Sequence, residues 1–371
     1  MKIFKNFEEI IQSIPQIKGI LQNFYKIVDI DNYEETFLIK ARNPDTQKHL
    51  VLQSGLHGIE GYVGFAMIYF FVDEVIPEIY KLNDNFIFTK LFDLSFIINA
   101  NPFGVKNKRR VNGNNVDLNR NFLLEENKFK DIDEKYKIID EFVNPKKKIK
   151  NLYFSYIKTF FNILRIILKI GQSNFKNLLL SGQNYNSHGT YYMGNCFQKE
   201  TILLKGIYKE LFNEKKAENT IFLDIHTGYG PSNQMSIVNS IYMKNKSFID
   251  YLQNKYPLVV SSNTDDFYEI KGDLIDFICK TYPDINFATA FEFGTLGNSI
   301  FANIKSIIAV ILENQYFFNN LNGVLESKNK ICKIGKKIIS FYENVFFPKS
   351  KKWWDKAFYD FKFSIKLILR R

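Results

Sequence analysis

The chain has 371 residues and a formal net charge of +11. This length would accommodate two average domains or one larger domain, and the positive charge favours anionic partners without being specific for nucleic acid. The three cysteines are too few and too widely spaced for a disulfide framework. The first 21 residues contain acidic residues and a proline where a secretory signal would be apolar. These features exclude a small disulfide-rich secreted protein and predict a cytoplasmic one.

Apolar segments with strand character alternate with helical segments along the chain. Strands are predicted near residues 49–55, 92–100, 220–226, 257–262 and 287–294, and helices near 61–80, 199–216 and 299–320. Such alternation is typical of an α/β fold, here a mixed, mostly parallel sheet flanked by helices on both faces. A functional site is then expected beyond the carboxyl ends of the strands.

The first predicted strand is followed by SGLHGIEG, in which His57 and Glu60 are three residues apart. Far downstream, the motif LDIHTG supplies His226. A His at the end of an apolar strand is more often a buried, hydrogen-bonded residue than a ligand, and neither short motif is specific alone. Together they form a set of two His and one Glu that leaves a fourth position open, as in catalytic zinc sites. The sequence therefore predicts one zinc ion per chain.

Between the two motifs, residues 97–122 contain a dense group of polar side chains. They include Arg110, Asp117, Asn119 and Arg120. Arginine presents a planar fork that matches a carboxylate or a developing oxyanion, and asparagine adds a neutral donor. This segment is therefore predicted to handle the substrate.

The last predicted strand carries one acidic residue in the run INFATAFEFGTLG. Glu292 lies between Phe291 and Phe293, where burying a carboxylate is costly unless a nearby group requires its charge. Such surroundings raise a carboxyl pKa toward the operating pH of a general base. The alternative is a glutamate that faces solvent at the end of a strand.

The segment from about 123 to 190 contains a basic stretch with apolar residues at helical spacing. Its apolar run is interrupted by Lys and Arg residues, so it is too short and too charged to span a bilayer. We predict a helical insertion packed on the core. The alternative is a rim of the cleft that brings His188 or Tyr191 near the substrate.

The C-terminal tail, residues 346–371, mixes Trp353 and Trp354 with basic residues. A basic helix with aromatic residues can lie on an anionic membrane surface, but docking on the domain is at least as well supported. The predicted organisation is a single catalytic domain over residues 1–345, with the insertion at about 123–190 and this tail.

The chain resembles the zinc metallocarboxypeptidases of the carboxypeptidase A type, and more specifically a bacterial branch known mainly as a domain of unknown function. The resemblance covers about residues 50–300 in order along the chain. It rests on His57-x-x-Glu60, Asn101-Pro102-x-Gly104, Arg110, Asp117-x-Asn119-Arg120-Asn121, His226 and Glu292.

For the metal, the resemblance implies that His57, Glu60 and His226 are the ligands and that Asp117 orients the ring of His57. A metal-bound imidazole usually donates its other N–H to a carboxylate or a carbonyl, which agrees with this role. Asp224 is a second candidate for such a role, or it could cap a neighbouring helix.

For the substrate, the resemblance implies that Arg110 stabilises the oxyanion and that Asn119 and Arg120 bind a free carboxylate. It also matches Tyr268 to a mobile catalytic tyrosine, which is followed at the expected offsets by a Gly and an Asp. Tyr268 could instead be a packed aromatic residue. Ile275 matches the floor of the pocket for the C-terminal side chain, which would favour an apolar or aromatic group there.

The implied reaction is hydrolysis of a C-terminal peptide bond by a zinc-activated water, with Glu292 as the general base. The alternative is a zinc amidohydrolase that deacylates N-acyl amino acids, similar to an aspartoacylase or a desuccinylase. A binding protein that kept the fold without the chemistry is a third hypothesis. The expected partner is a peptide or an N-acyl amino acid with a free carboxylate, and no specific nucleic acid is expected.

Overall fold

The computed structural model describes residues 1–44, 46–82, 92–130, 133–214, 216–256, 259–261, 270–323 and 332–371. One sheet forms its centre. Its strands are β1 (Ile27–Tyr33), β2 (Thr36–Arg42), β3 (Lys48–Ser54), β4 (Phe92–Ile98), β5 (Thr220–Gly228), β6 (Met235–Asn239), β7 (Val259–Ser261) and β8 (Phe287–Gly294).

The strands are hydrogen-bonded in the order β1-β2-β4-β3-β5-β8-β6-β7. The central four, β4, β3, β5 and β8, run parallel, while β1, β2 and β6 introduce antiparallel pairings. The prediction of a mixed, mostly parallel sheet is confirmed. Strands β1, β2 and β6 lie outside the predicted set, because charged residues interrupt the edge hairpin and β6 is short.

The helices are α1 (Phe7–Leu21), α2 (Gly61–Phe70), α3 (Ile76–Leu82), α4 (Pro102–Asn107), α5 (Lys137–Val143), α6 (Leu152–Ile170), α7 (Gln172–Leu180), α8 (Lys199–Glu214), α9 (Lys246–Gln253), α10 (Leu274–Thr281), α11 (Ile300–Gln315), α12 (Lys333–Phe346) and α13 (Lys351–Leu369). Among the helices described, none combines the length and the apolarity that crossing a bilayer requires.

Helices cover both faces of the sheet. Successive side chains of a strand point to opposite faces, so the apolar side chains of the central strands need a covering layer on each side. On one face, Phe222 of β5 packs against Tyr208 and Phe212 of α8. On the other, Phe291 of β8 packs against Phe361 of α13, with ring centroids 6.2 Å apart. The predicted flanking of the sheet is therefore confirmed.

The insertion folds as α5, α6 and α7, and α6 packs against α11 and α12. The C-terminal tail folds as α13, whose Trp353 and Trp354 are buried. The Trp353 indole N–H donates to the carbonyl of Gly294 at 2.8 Å, and the Trp354 indole N–H donates to the carbonyl of Pro348 at 2.8 Å. The aromatic residues at the start of the tail therefore contact the protein itself.

Candidate metal centre

The predicted site residues lie at the carboxyl ends of neighbouring parallel strands in the centre of the sheet. His57 follows the end of β3, and His226 and Glu292 lie near the ends of β5 and β8. In the register of these two strands, His226 and Glu292 are directly opposite each other. Residues that are 66 positions apart in sequence, from 226 to 292, are therefore neighbours on the same face of the sheet.

The loop that carries His57 and Glu60 is held tightly against the segment after β4. The Gly58 N–H donates to the carbonyl of Arg110 at 3.2 Å. A Cβ atom added at Gly58 would lie 1.9 Å from the carbonyl carbon of Gly104, so only glycine allows this approach. The two motifs thus fold as one unit, which places Glu60 beside Arg110.

His57, Glu60 and His226 are buried, and each offers a ligand atom within 4.8 Å of the others. The Nδ1 atom of His57 lies 3.1 Å from Oε1 of Glu60, and the Nδ1 atom of His226 lies 3.2 Å from Oε2. Both imidazoles therefore present the same ring nitrogen to one carboxylate, which is an arrangement that could hold a metal ion.

The chemistry of this group fits a divalent cation. The Nδ1 atom of His57 is buried and, apart from its 3.1 Å contact with Oε1 of Glu60, has no hydrogen-bond partner among the described residues. A buried polar atom without a partner is costly unless a ligand satisfies it. Two imidazole nitrogens and one carboxylate form a ligand set that suits zinc in a catalytic site. These three residues are the ones that would hold it.

Each imidazole is oriented by its own carboxylate. Nε2 of His57 lies 3.0 Å from Oδ1 of Asp117, and Nε2 of His226 lies 2.6 Å from Oδ2 of Asp224. These contacts leave Nδ1 of each ring toward Glu60 and fix the tautomer that a metal needs. The predicted contact of Asp117 with His57 is present, and Asp224, the second candidate, contacts the other histidine.

Asp117 is also held by Arg110, whose Nε donates to Oδ2 of Asp117 at 2.8 Å. Burial by itself would raise the pKa of Asp117, but the charges of Arg110 and His57 hold this pKa well below its ordinary value. Burial likewise would lower the pKa of His226, but Asp224 and Glu60 raise it well above its ordinary value. In the absence of a metal, the positive charges of protonated His226 and of Arg110 thus offset the negative charges of the carboxylates around them.

Glu292 faces the same site from β8 and accepts a hydrogen bond from the backbone N–H of Tyr229. Its Oε2 atom is buried and has no hydrogen-bond partner among the described residues. Burial is the main cause that raises the pKa of Glu292 to about 8. The carboxyl group is thus poised to exchange a proton near neutral pH, as a general base must.

Arg110 and Arg120 enter the cleft in different ways. Nη1 of Arg110 lies 3.4 Å from Oε1 of Glu60, so this guanidinium is next to the candidate metal ligands. Arg120 is buried, and its Nε and Nη1 donate to the carbonyls of Leu180 and Asn119, each at 2.9 Å. Three of the five guanidinium N–H groups of Arg120 make no hydrogen bond to a described residue.

Asn119 lines the cleft but is largely used by the protein. Its Nδ2 donates to Oδ2 of Asp273 at 3.0 Å, and its Oδ1 accepts from the N–H of Leu274 at 2.9 Å. These bonds connect the loop to the start of α10. Of the two residues predicted to bind a carboxylate, Arg120 therefore has more free donors.

The remaining predicted positions are spread more widely. Ile275 is buried in α10 and is not among the described residues that line the cleft, and Tyr268 lies outside the described residues. Tyr191 lines the cleft, whereas the ring of His188 stacks on Phe318, with centroids 4.3 Å apart. Of these two residues, only Tyr191, at the end of the insertion, lines the cleft.

The cleft has a volume of about 180 Å³. The sequence did not indicate that α7 of the insertion supplies Lys176 and Leu180 to its wall, or that α11 supplies Asn303 and Ser306. For α7, the sequence offered only the general alternative that the insertion forms a rim of the cleft. Apart from Glu60 and Glu292, the charged residues among the described lining are all cationic, which suits an anionic substrate.

The chain belongs to the family DUF2817, a protein family of unknown function, whose family model matches residues 35–359. This match agrees with the resemblance to a branch known mainly as a domain of unknown function. A search of curated proteins finds no match.

Solved structures similar to this one include metallocarboxypeptidases. Bovine thrombin-activatable fibrinolysis inhibitor, in complex with tick carboxypeptidase inhibitor, is 13% identical with a TM-score of 0.48, over 87% of this chain and 99% of that one. A metallo-carboxypeptidase from Burkholderia cenocepacia is 10% identical with a TM-score of 0.41, over 84% and 69%. A succinylglutamate desuccinylase from Vibrio parahaemolyticus is 14% identical with a TM-score of 0.37, over 84% and 82%.

Proposed function

We propose that this protein is a zinc-dependent metallocarboxypeptidase that hydrolyses a C-terminal amide bond. The observation that carries the proposal is the buried group of His57, Glu60 and His226 beside Glu292. When bound, zinc would supply a Lewis acid that activates water and polarises the scissile carbonyl. The roles that follow belong to the residues of the chain.

Glu292 accepts a proton from the attacking water and later delivers it to the leaving amine. Its burial suits this exchange, because a pKa raised to about 8 allows both uptake and release near neutral pH. Arg110, held in place by Asp117, donates to the oxyanion that develops as water adds to the carbonyl. One such donor contributes on the order of 3 to 4 kcal/mol to transition-state stabilisation.

Arg120 binds the free carboxylate of the substrate through its remaining N–H groups, and Asn119 places the start of α10 beside it. A guanidinium that pairs with the terminal carboxylate limits cleavage to the last residue of a chain. Lys176 adds a further positive charge, beside those of Arg110 and Arg120, at the wall of the cleft. These cations support an exo-acting enzyme.

A second candidate is the deacylation of N-acyl amino acids by the same groups. It is favoured by the position of the insertion, since Lys176 and Leu180 of α7 line a cleft of only about 180 Å³. A small acylated amino acid would fit a cleft of this size better than a long peptide. The two candidates share the metal, the base and the requirement for a free carboxylate.

One experiment separates them. The zinc-loaded protein is incubated with a peptide library and with a set of N-acyl amino acids, and the products are identified by mass spectrometry. Release of single C-terminal residues supports the carboxypeptidase, and release of free acids from the acylated amino acids supports the deacylase. If the wild type and Glu292→Gln give the same products at the same rates, neither reaction belongs to this site.

A further inference from the structure

Helix α6 of the insertion has an exposed apolar face that the proposed function does not use. Phe154, Phe161 and Leu168 are seven residues apart, and their side chains are 69%, 62% and 87% exposed. Residues at this spacing lie on one side of a helix. The opposite side is buried through Thr159, Ile163 and Ile166. Helix α6 thus has one apolar stripe that packs on the protein and a second apolar stripe that faces solvent.

This face continues onto the start of α11. Phe160 stacks on Phe301 with ring centroids 6.5 Å apart, and Phe301 is 72% exposed. In the described part of the chain, the four most exposed large hydrophobic side chains are Leu168, Phe301, Phe154 and Tyr153. All four belong to this surface, which we call the α6 face. Soluble proteins rarely expose such residues together without a partner.

The charges around the α6 face have one sign. Lys158, Arg165 and Lys169 are exposed along one flank of the apolar stripe. The whole stretch of residues 142–199 contains nine Lys and Arg residues and no Asp or Glu. Two copies of this chain joined through α6 would bring these positive charges together, so self-association through this face is disfavoured. An anionic surface is complementary to it.

A basic cavity lies beside the first turn of α6. It has a volume of about 670 Å³, and its lining includes Lys150, Lys333 and Lys337 together with Tyr153 and Tyr156. No acidic residue is among the described residues that line it. Such a cavity is suited to the phosphate of a lipid headgroup, while the apolar stripe is suited to the acyl chains below it.

We propose that the α6 face docks on an anionic lipid surface, with Phe154, Phe161 and Leu168 at the level of the acyl chains and Lys158, Arg165 and Lys169 among the headgroups. Aromatic and aliphatic side chains on one side and basic residues beside them are the features of an interfacial helix. The tail is less suited, because Trp353 and Trp354 are buried against the protein.

Docking through α6 would place the cleft close to the membrane. Phe301 of the α6 face directly precedes Ala302 and Asn303, which line the cleft, and α7 follows α6 and supplies Lys176. The substrate would then be reached at the lipid surface. This consequence does not depend on which amide bond is cut.

Vesicle flotation tests the proposal with the full chain. Vesicles of phosphatidylcholine alone are compared with vesicles that contain about a third phosphatidylglycerol. The wild type is expected to bind the anionic vesicles at least about tenfold more strongly, and binding should weaken as salt is raised. Equal binding to both vesicles, or binding to neither, would overturn the proposal.

Two triple variants identify the surface. Phe154→Ser/Phe161→Ser/Leu168→Ser removes the apolar stripe, and Lys158→Gln/Arg165→Gln/Lys169→Gln removes the flanking charge. Each should lower binding to anionic vesicles by at least about tenfold. Because these positions are exposed, both variants should keep the melting temperature of the wild type within a few degrees, and this is measured alongside.

The matched control is Ile202→Ser/Tyr359→Ser, at apolar residues that are 60% and 63% exposed on α8 and α13. It should bind like the wild type. A loss of binding in this control as large as in the triple variants would place the contact elsewhere. If light scattering shows a dimer that only the Phe154 triple variant dissociates, and no vesicle binding is seen, the face is an interface between copies and the proposal fails.

Discussion

His57 and His226 depend on different carboxylates for their orientation, Asp117 and Asp224. Each pair leaves one Nδ1 atom toward Glu60. A metal bound here would replace the protons that these rings share with Glu60. Because each ring is one of only three proposed ligands, removal of either ring should abolish the metal site.

The first prediction therefore concerns metal content. Wild-type protein loaded with zinc and desalted should contain about one ion per chain, and His57→Ala and His226→Ala should each retain almost no zinc. Elemental analysis measures the content. The control is His188→Ala, since His188 is exposed and stacks on Phe318. Zinc content in the two ligand variants equal to that of the control would reject the assignment.

Glu292 is predicted to act as the base. Glu292→Gln keeps the shape of the side chain without its basicity, so bound zinc should remain while kcat falls by about 100-fold or more. In the wild type, kcat/KM should rise with pH on the acid side, because only the ionised carboxylate accepts a proton. Steady-state rates between acid and neutral pH measure both effects. A variant that kept wild-type turnover would exclude Glu292 from the reaction.

Arg120 has three N–H groups that make no hydrogen bond to a described residue. If they bind the substrate carboxylate, amidation of that carboxylate should lower kcat/KM of the wild type by about 10- to 100-fold. Arg120→Ala should discriminate far less between the free acid and the amide. The comparison uses the ratio of kcat/KM values for each protein. Equal ratios would make Arg120 a structural residue of the loop.

At the scale of elements, the C-terminal helix α13 packs on the face of the sheet opposite α8. Trp353 packs near Phe293 and donates to Gly294, at the end of the strand that carries Glu292. The helix thus stabilises β8 directly. The sequence suggests that residues 346–371 are a separate tail. If they are instead part of the domain, the contact between Trp353 and β8 should contribute to the stability of the domain.

Trp353→Ala should lower the free energy of unfolding by about 3 to 5 kcal/mol, because it leaves a large cavity and an unpaired carbonyl. Tyr359→Ala, in the same helix but 63% exposed, should change it by less than about 0.5 kcal/mol. Chemical denaturation measures both values. Similar small effects for the two variants would show that α13 contributes little to the stability of the domain.

For the whole molecule, the partly buried Glu292 links stability to pH in the metal-free protein. Its pKa is about 8 in the folded state against an ordinary value of 4.5. Between these values the folded state holds a proton that the unfolded state has released. The contribution of Glu292 to stability is therefore lost as pH rises from about 4.5 to about 8.

The final prediction follows from this loss of stability with rising pH. Without metal, Glu292→Gln should exceed the wild type in melting temperature by more at pH 9 than at pH 5, since glutamine never has to ionise. Zinc should reduce the difference, because a cation beside Glu292 favours its ionised form. Thermal melts at the two pH values, with and without a chelator, measure this. A difference independent of pH would mean that Glu292 is already ionised in the folded protein.

Much of the fold and the residue types of the site could be predicted from the sequence. The apolar strands ending at His57, His226 and Glu292 indicate a parallel sheet with its site at the carboxyl edge, because that rule depends only on local pattern and chain order. The hairpin of β1 and β2 is not found by this rule, since β1 is a half-exposed edge strand of mixed residues and charged residues interrupt the apolar pattern of both strands. The resemblance added the roles of individual residues, and these remain predictions.

Only the tertiary structure decided which partner each group has. The bonds of Asn119 to the start of α10 and the entry of Lys176 into the cleft join segments that sequence spacing does not relate. The exposure of α6 is also decided by the tertiary structure, since its apolar residues lie on two sides of the helix and the sequence does not reveal which side is buried. Burial and distance are properties of the packed chain, and the pKa of Glu292 depends on both.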